Sequence, residues 1–228
     1  MVLESLNKFN MKRILFAVLM LLSLAGSGQE FVTMGTVRCP RGGSEKIGSH
    51  KYKQNELKNR DVPNRYAVNT SYNLAKLVAM QRADVAENID PTTVVCVEGY
   101  LVDAKRGGKN NVSSETCICG VTDEQFFDTH MVVGLQPDSD PSYCLIAEVT
   151  VRVRNQIGPG HDYSYEALKK LEGKKLRITG YLFCDAEHWT NSTADQGKGN
   201  HWRGSTWEVH PVFLIEYWDQ NKKAYVSL

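Results

Sequence analysis

From residue 92 onward the sequence carries strand-like runs in an order that few folds accommodate. Residues 94–103 (VVCVEGYLVD) are rich in β-branched and apolar types, residues 126–133 alternate apolar and polar, and residues 145–154 alternate most cleanly. Residues 163–171 (YSYEALKKL) then switch to helical spacing, with Gly173 just past the end as a stop. Residues 175–185 and 207–218 return to strand character, the latter with Pro211 marking a bulge or bend. Gly99 and Gly180 sit inside the long first and fourth runs, where a small barrel must turn sharply. The pattern predicts a mainly β domain of three strands, one short helix and two further strands.

That order is the order of the OB-fold, a five-stranded Greek-key barrel. Residues 168–182 (LKKLEGKKLRITGYL) resemble the helix-to-strand passage of OB-fold proteins, and the likeness covers about residues 92–218. The segment 207–212 (WEVHPV) is similar to one found in predicted exported proteins of unknown activity, a resemblance that implies a fold and carries over no functional residue. Another small barrel or a sandwich is the competing architecture. The expected division is a signal peptide at 1–28, a polar N-terminal extension at 29–91, and the OB-like barrel at 92–228. The extension is broken by Pro40, Gly42, Gly43, Gly48 and Pro63. One short helix is expected in it near 71–84, capped by Asn69 or Thr70, with Leu74, Leu77 and Val78 as its apolar stripe.

The first 28 residues have the layout of a secretory signal: Lys8, Lys12 and Arg13, then the apolar run 14–24, then Ala25, Gly26, Ser27 and Gly28. Met11 is an alternative start. The apolar run is 11 residues, where a membrane span needs about 20. The expectation is therefore a secreted or periplasmic protein with no membrane span after cleavage. Losing Lys8, Lys12, Arg13 and Glu4 removes a net +2, taking the formal charge from +1 to −1. A near-neutral domain has no global attraction for nucleic acid, so an oligosaccharide or protein ligand is preferred over nucleic acid.

Export also colours the cysteines. Cys39, Cys96, Cys117, Cys119, Cys144 and Cys184 are even in number, which leans toward disulfides among 15 possible pairings. Cys117 and Cys119 are too close in sequence to bond to each other readily, and so must pair elsewhere, stay free or bind a metal. Sequons at Asn69, Asn111 and Asn191 carry weight only in a eukaryotic secretory pathway.

Alternation assigns faces. Leu145, Ala147, Val149, Val151 and Val153 should face the barrel core, with Glu148, Thr150, Arg152 and Arg154 outside. Phe127, Met131 and Val133 should face in, with Thr129 an apparent exception, and Asp128 and His130 out. Trp207 and Val209 should face in, leaving Glu208 and His210 out. In OB topology the second strand neighbours the third, and the third neighbours the fifth, so Asp128, His130, Glu148, Thr150, Arg152, Glu208 and His210 should share one outer face. The plainest reading is a wetted ladder of cross-strand charge pairs. A sharper one is a ligand-binding face, since OB barrels bind near the second and third strands and through the loops after the first and fourth. Those loops carry Lys105, Arg106 and Lys109, and Asp185, Glu187, His188, Trp189, Lys198, His201, Trp202 and Arg203.

The sharpest reading is a divalent-metal site, for instance Zn²⁺, on Asp128, His130 and His210, with Glu148 and Glu208 as catalytic carboxylates. No phosphate loop, G-x-S-x-G elbow or H-E-x-x-H is present. The leading expectation is thus an exported, non-enzymatic binding module without cofactor, contacting its ligand through Lys105, Arg106, Arg152, Trp189, Trp202 and Arg203. A metal-dependent hydrolase and a structural envelope or surface component are the alternatives.

Overall fold

The five strands expected from the pattern close into a barrel in the computed structural model, which describes residues 30–84, 89–108 and 115–228. The expected signal segment 1–28, Lys109 and the sequon at Asn111 lie outside the described residues. Strands β3 (Val94–Arg106), β4 (Thr129–Gly134), β5 (Leu145–Val149), β6 (Lys175–Cys184) and β7 (Trp207–Asp219) run β5-β4-β3-β6-β7, and β5 pairs with β7 in parallel to close the ring. Every other pairing in the ring is antiparallel. This is the mixed, closed ring of an OB-type barrel. A short strand β8 (Ala224–Ser227), absent from the expectation, extends the sheet beyond the end of β7.

The barrel interior is filled by the inward set of each strand, including Val95, Val97, Leu101, Met131, Val133, Leu145, Ala147, Val149, Ile178, Trp207 and Val209. Two strand interruptions place the bends. In the β6–β7 pair the register shifts at Gly180 and again beside Pro211, whose peptide bond to His210 is cis. A Cβ at Gly180 would lie 2.5 Å from the Pro211 carbonyl oxygen and 2.6 Å from Val209 Cγ1. Gly180→Ala should therefore cost about 1–3 kcal/mol by overpacking, read as a lower urea midpoint with unchanged slope. In β3 the irregularity falls between Leu101 and Asp103, not at Gly99. Gly99 instead permits close approach, since its Cβ would meet Leu74 at 2.4 Å and the Gly134 carbonyl at 2.8 Å.

The clean alternation of 145–154 misleads at its second half. Strand β5 stops at Val149, and Val151–Gln156 is helix α3. Thr150 is its N-cap, its side chain accepting from the Val153 amide, while the Asp128 carboxylate accepts from the Val151 amide at 3.1 Å. Two cap acceptors satisfy the free amides of a new helix, which outweighs the β-branched preference of the valines. Arg152 and Arg154 are consequently not on a strand face. Phe127 is corrected too: it precedes β4 and packs outside the barrel, with Val32, Met34, Ile118 and Val151.

Residues Phe31–Leu228 form one compact unit, and the N-terminal stretch is more ordered than its polar sequence implies. Strands β1 (Phe31–Met34) and β2 (Val37–Pro40) make a hairpin, and His50–Lys58 forms helix α1, capped by Ser49. No apolar stripe announces α1 because asparagines anchor it. Asn55 donates to the Gly42 carbonyl at 3.1 Å and Thr116 Oγ1 at 3.0 Å, and Asn59 donates to the Cys117 and Arg41 carbonyls. The helix expected over 71–84 is shorter, α2 (Leu74–Ala79), capped by Asn73. The helix between the third and fourth barrel strands is α4 (Tyr165–Lys169), capped by Ser164. One disulfide joins Cys39 in β2 to Cys119, whereas Cys96, Cys117, Cys144 and Cys184 are free thiols. Of the six disulfide candidates, two are joined and four are not, and Cys119 pairs outside the Cys117–Cys119 couple. Among the described residues no helix is long and apolar enough to cross a membrane.

Candidate functional site

Register places the cluster. His130 in β4 stands opposite Glu148 in β5, and Ile146 in β5 stands opposite Glu208 in β7. Period-two alternation then points His130, Glu148, Glu208 and His210 to the same outer face, with Asp128 two residues before His130. The expected face is assembled without Thr150 and Arg152, which have left it for the helix, and it is not a wetted ladder. The N-terminal segment and the 115–128 connection lie over it, and Asp128, Glu208 and His210 are each 0% exposed, Glu148 6%. Buried charge at this density is costly unless paired or metal-bound.

The pairing is legible in distances. Arg203 and Glu208 make a fully buried ion pair at 2.6 Å, and Arg203 also donates to the Ser205 carbonyl. Lys58, from α1, pairs with buried Asp185 at 2.8 Å. His210 Nδ1 lies 3.1 Å from both Glu208 Oε1 and Glu148 Oε2. His130 Nε2 lies 3.3 Å from Glu148 and 3.5 Å from Glu115. Glu148 lies between the two imidazoles, with Glu115 beside His130. Asp128 Oδ1 accepts from the Val151 amide, but among the described residues Asp128 Oδ2 and His210 Nε2 are buried with no hydrogen-bond partner.

Burial and the neighbouring charges move the titrations. Burial, then the neighbouring Glu115, pushes the Asp128 carboxyl up to about 7, against His210 and Arg154, which lower it. Burial also opposes the charge on Glu148, but His130 and His210 outweigh it and hold that carboxyl well below its ordinary value. Burial works against protonated His130, yet Glu148 and Glu115 prevail and raise it to about 10. The Cys117 thiol is pushed well up by burial and by Glu115 and Asp128. The upward shifts of Asp128 and Cys117 follow burial and neighbouring carboxylates, and the downward shift of Glu148 follows the two imidazoles beside it.

Above the cluster opens a cleft of about 280 Å³, lined by Glu115, Cys117, His130, Glu148, Asp185 and His188 together with Lys51, Asn55 and Lys58 of α1. One donor atom from each of Asp128, Glu148 and His210 lies within 4.8 Å of the others, and the same holds for Glu115, Cys117 and Asp128. Two imidazoles, several carboxylates and a thiol are the donor types of Zn²⁺ and its neighbours.

The residues expected to grip a ligand fare differently. Lys105 and Arg106 are on β3 rather than in a loop. Lys105 pairs with Asp103, and Arg106 pairs with Glu124 and Glu166 while stacking over Tyr165. Arg152 and Arg203 are fully buried. Trp189 and Trp202 are exposed at 45% and 36%, and Trp202 meets His188 edge-to-face at 5.1 Å. Lys58 and Glu115 were not legible as site residues. The first sits in a helix without an apolar stripe and the second in a long polar connection. Ser49 as a helix cap is the one sequence signal that points to α1.

No known family model, curated protein or solved structure matches the chain.

Proposed function

We propose that the chain is an exported metal-dependent hydrolase that holds a divalent cation on Asp128, Glu148 and His210, of which Glu148 also lines the cleft. One observation carries this reading: three donors converge within 4.8 Å on a covered barrel face, with Asp128 Oδ2 buried and unpartnered among the described residues. The burial of Arg152 and Arg203, and the ion pairs of Lys105 and Arg106, leave the wide charged binding face with little to offer. The basic, apolar and small N-terminal layout supports export.

Held by these three side chains, a divalent cation would lower the pKa of a coordinated water and so make hydroxide available as the nucleophile. Glu208 orients His210 through the 3.1 Å contact to Nδ1, the outer-sphere support that metal-bound imidazoles usually have. His130, at the cleft wall, is the group placed to give a proton to a leaving oxygen. Lys58 keeps ammonium protons beyond its bond to Asp185, which favours an anionic group such as a phosphodiester.

The mature protein should hydrolyse bis(p-nitrophenyl) phosphate or a p-nitrophenyl ester when supplied with Zn²⁺ or Mn²⁺. Chelation should abolish this turnover. Full activity in metal-free protein, or no turnover of either substrate with either ion, would contradict the reading. Exposed Trp189 and Trp202 favour a second reading, a binding module that stacks a sugar ring beside the cleft. In that case Trp202→Ala weakens oligosaccharide binding in a protein with no turnover.

A further inference from the structure

We propose that the cleft holds two divalent cations, with Asp128 shared between them and Cys117 a thiolate ligand of the second. The proposal rests on the single-cation reading above and extends it. Asp128 belongs to both donor groups, Asp128–Glu148–His210 and Glu115–Cys117–Asp128, each within 4.8 Å. It is fully buried, and one carboxylate oxygen is fixed by the Val151 amide while the other has no partner among the described residues. A carboxylate held in this way can serve two ions, and paired catalytic ions lie about 3.5–4 Å apart.

His130 marks the space between the two groups. Its Nε2 lies 3.5 Å from Glu115 of one and 3.3 Å from Glu148 of the other. Glu115 and Cys117 of one group and Glu148 of the other line the same cleft, so each group has a side chain that reaches one space. The Cys117 thiol is buried, lies 3.6 Å from Glu115 Oε2 and is not used by the disulfide, which takes Cys119 instead. A soft sulfur ligand selects Zn²⁺, Co²⁺ or Cd²⁺ over Mg²⁺ or Ca²⁺. Binding there releases the thiol proton to solvent, because the ligand is the thiolate.

The test is titration of metal-stripped mature protein with Co²⁺, followed by native mass and by the sulfur-to-cobalt charge-transfer absorption in the near ultraviolet. Two equivalents with the charge-transfer band are expected. Cys117→Ser should lose the band and one equivalent while keeping the other. Glu148→Gln should lose one equivalent and keep the band. Near-ultraviolet circular dichroism, and a mass that keeps the Cys39–Cys119 bond, report the fold of each variant. If Cys117→Ser does not fold, Glu115→Gln, which keeps the thiol, should still bind one equivalent fewer than the parent. One equivalent in the parent without the band overturns the second ion and leaves the first standing. One equivalent with the band overturns the shared arrangement. No uptake overturns both readings.

Discussion

His210→Ala should lower divalent-cation affinity by more than 100-fold while the barrel still folds. His210 is fully buried in β7, 3.1 Å from Glu148 and from Glu208, and one of its ring nitrogens has no partner among the described residues. Losing an outer-sphere partner alone costs about 10–100-fold in affinity, so losing a direct donor should exceed that range. The truncation also leaves Glu148 and Glu208 without the imidazole between them, so some stability is lost as well. Asp128→Asn separates the two effects. It keeps the shape and the oxygen that accepts from Val151, but removes the charge. Calorimetric titration with Zn²⁺ should show both variants weakened. Parent-like affinity in both would mean that these side chains are a buried polar network and nothing more.

The largest stability loss is expected for Arg203→Met. Arg203 and Glu208 are 1% and 0% exposed and meet at 2.6 Å. Removing one partner leaves a buried carboxylate uncompensated, which costs about 3–5 kcal/mol. For a domain of this size that corresponds to a fall in Tm of roughly 6–20 °C. Adding Glu208→Leu should restore part of the loss, because no charge is then stranded, while weakening metal binding through His210. A scanning-calorimetry Tm within a degree or two of the parent would show that Glu208 is already neutralised without Arg203.

The barrel was readable because its information is local. Period-two runs, Gly180 at a bend and Pro211 beside a register shift follow from backbone geometry that each strand imposes alone. The gathering of Asp128, His130, Glu148, Glu208 and His210 was readable for the same reason, since alternation and OB strand order fix a face. Whether that face is wet or covered depends on contacts between distant segments. Asn55 and Asn59 tie α1 to the Thr116 hydroxyl and the Cys117 carbonyl, 61 and 58 residues away in sequence, and polar anchors leave no periodic trace. Residues 145–154 failed in the opposite way. Their alternation was strong, but Thr150 and Asp128 offered the caps that turned Val151–Gln156 into a helix. Arg152 and Arg203 looked like surface groups because their types usually are, and their burial follows from tertiary partners.

The most direct test of the cation at Asp128, Glu148 and His210 is the native mass of the protein expressed from the full sequence and analysed without reducing agent. A mass excess matching bound divalent metal is expected, with a deficit of about two mass units for the one disulfide. A metal-free mass that stays unchanged when Zn²⁺ is added would contradict the account.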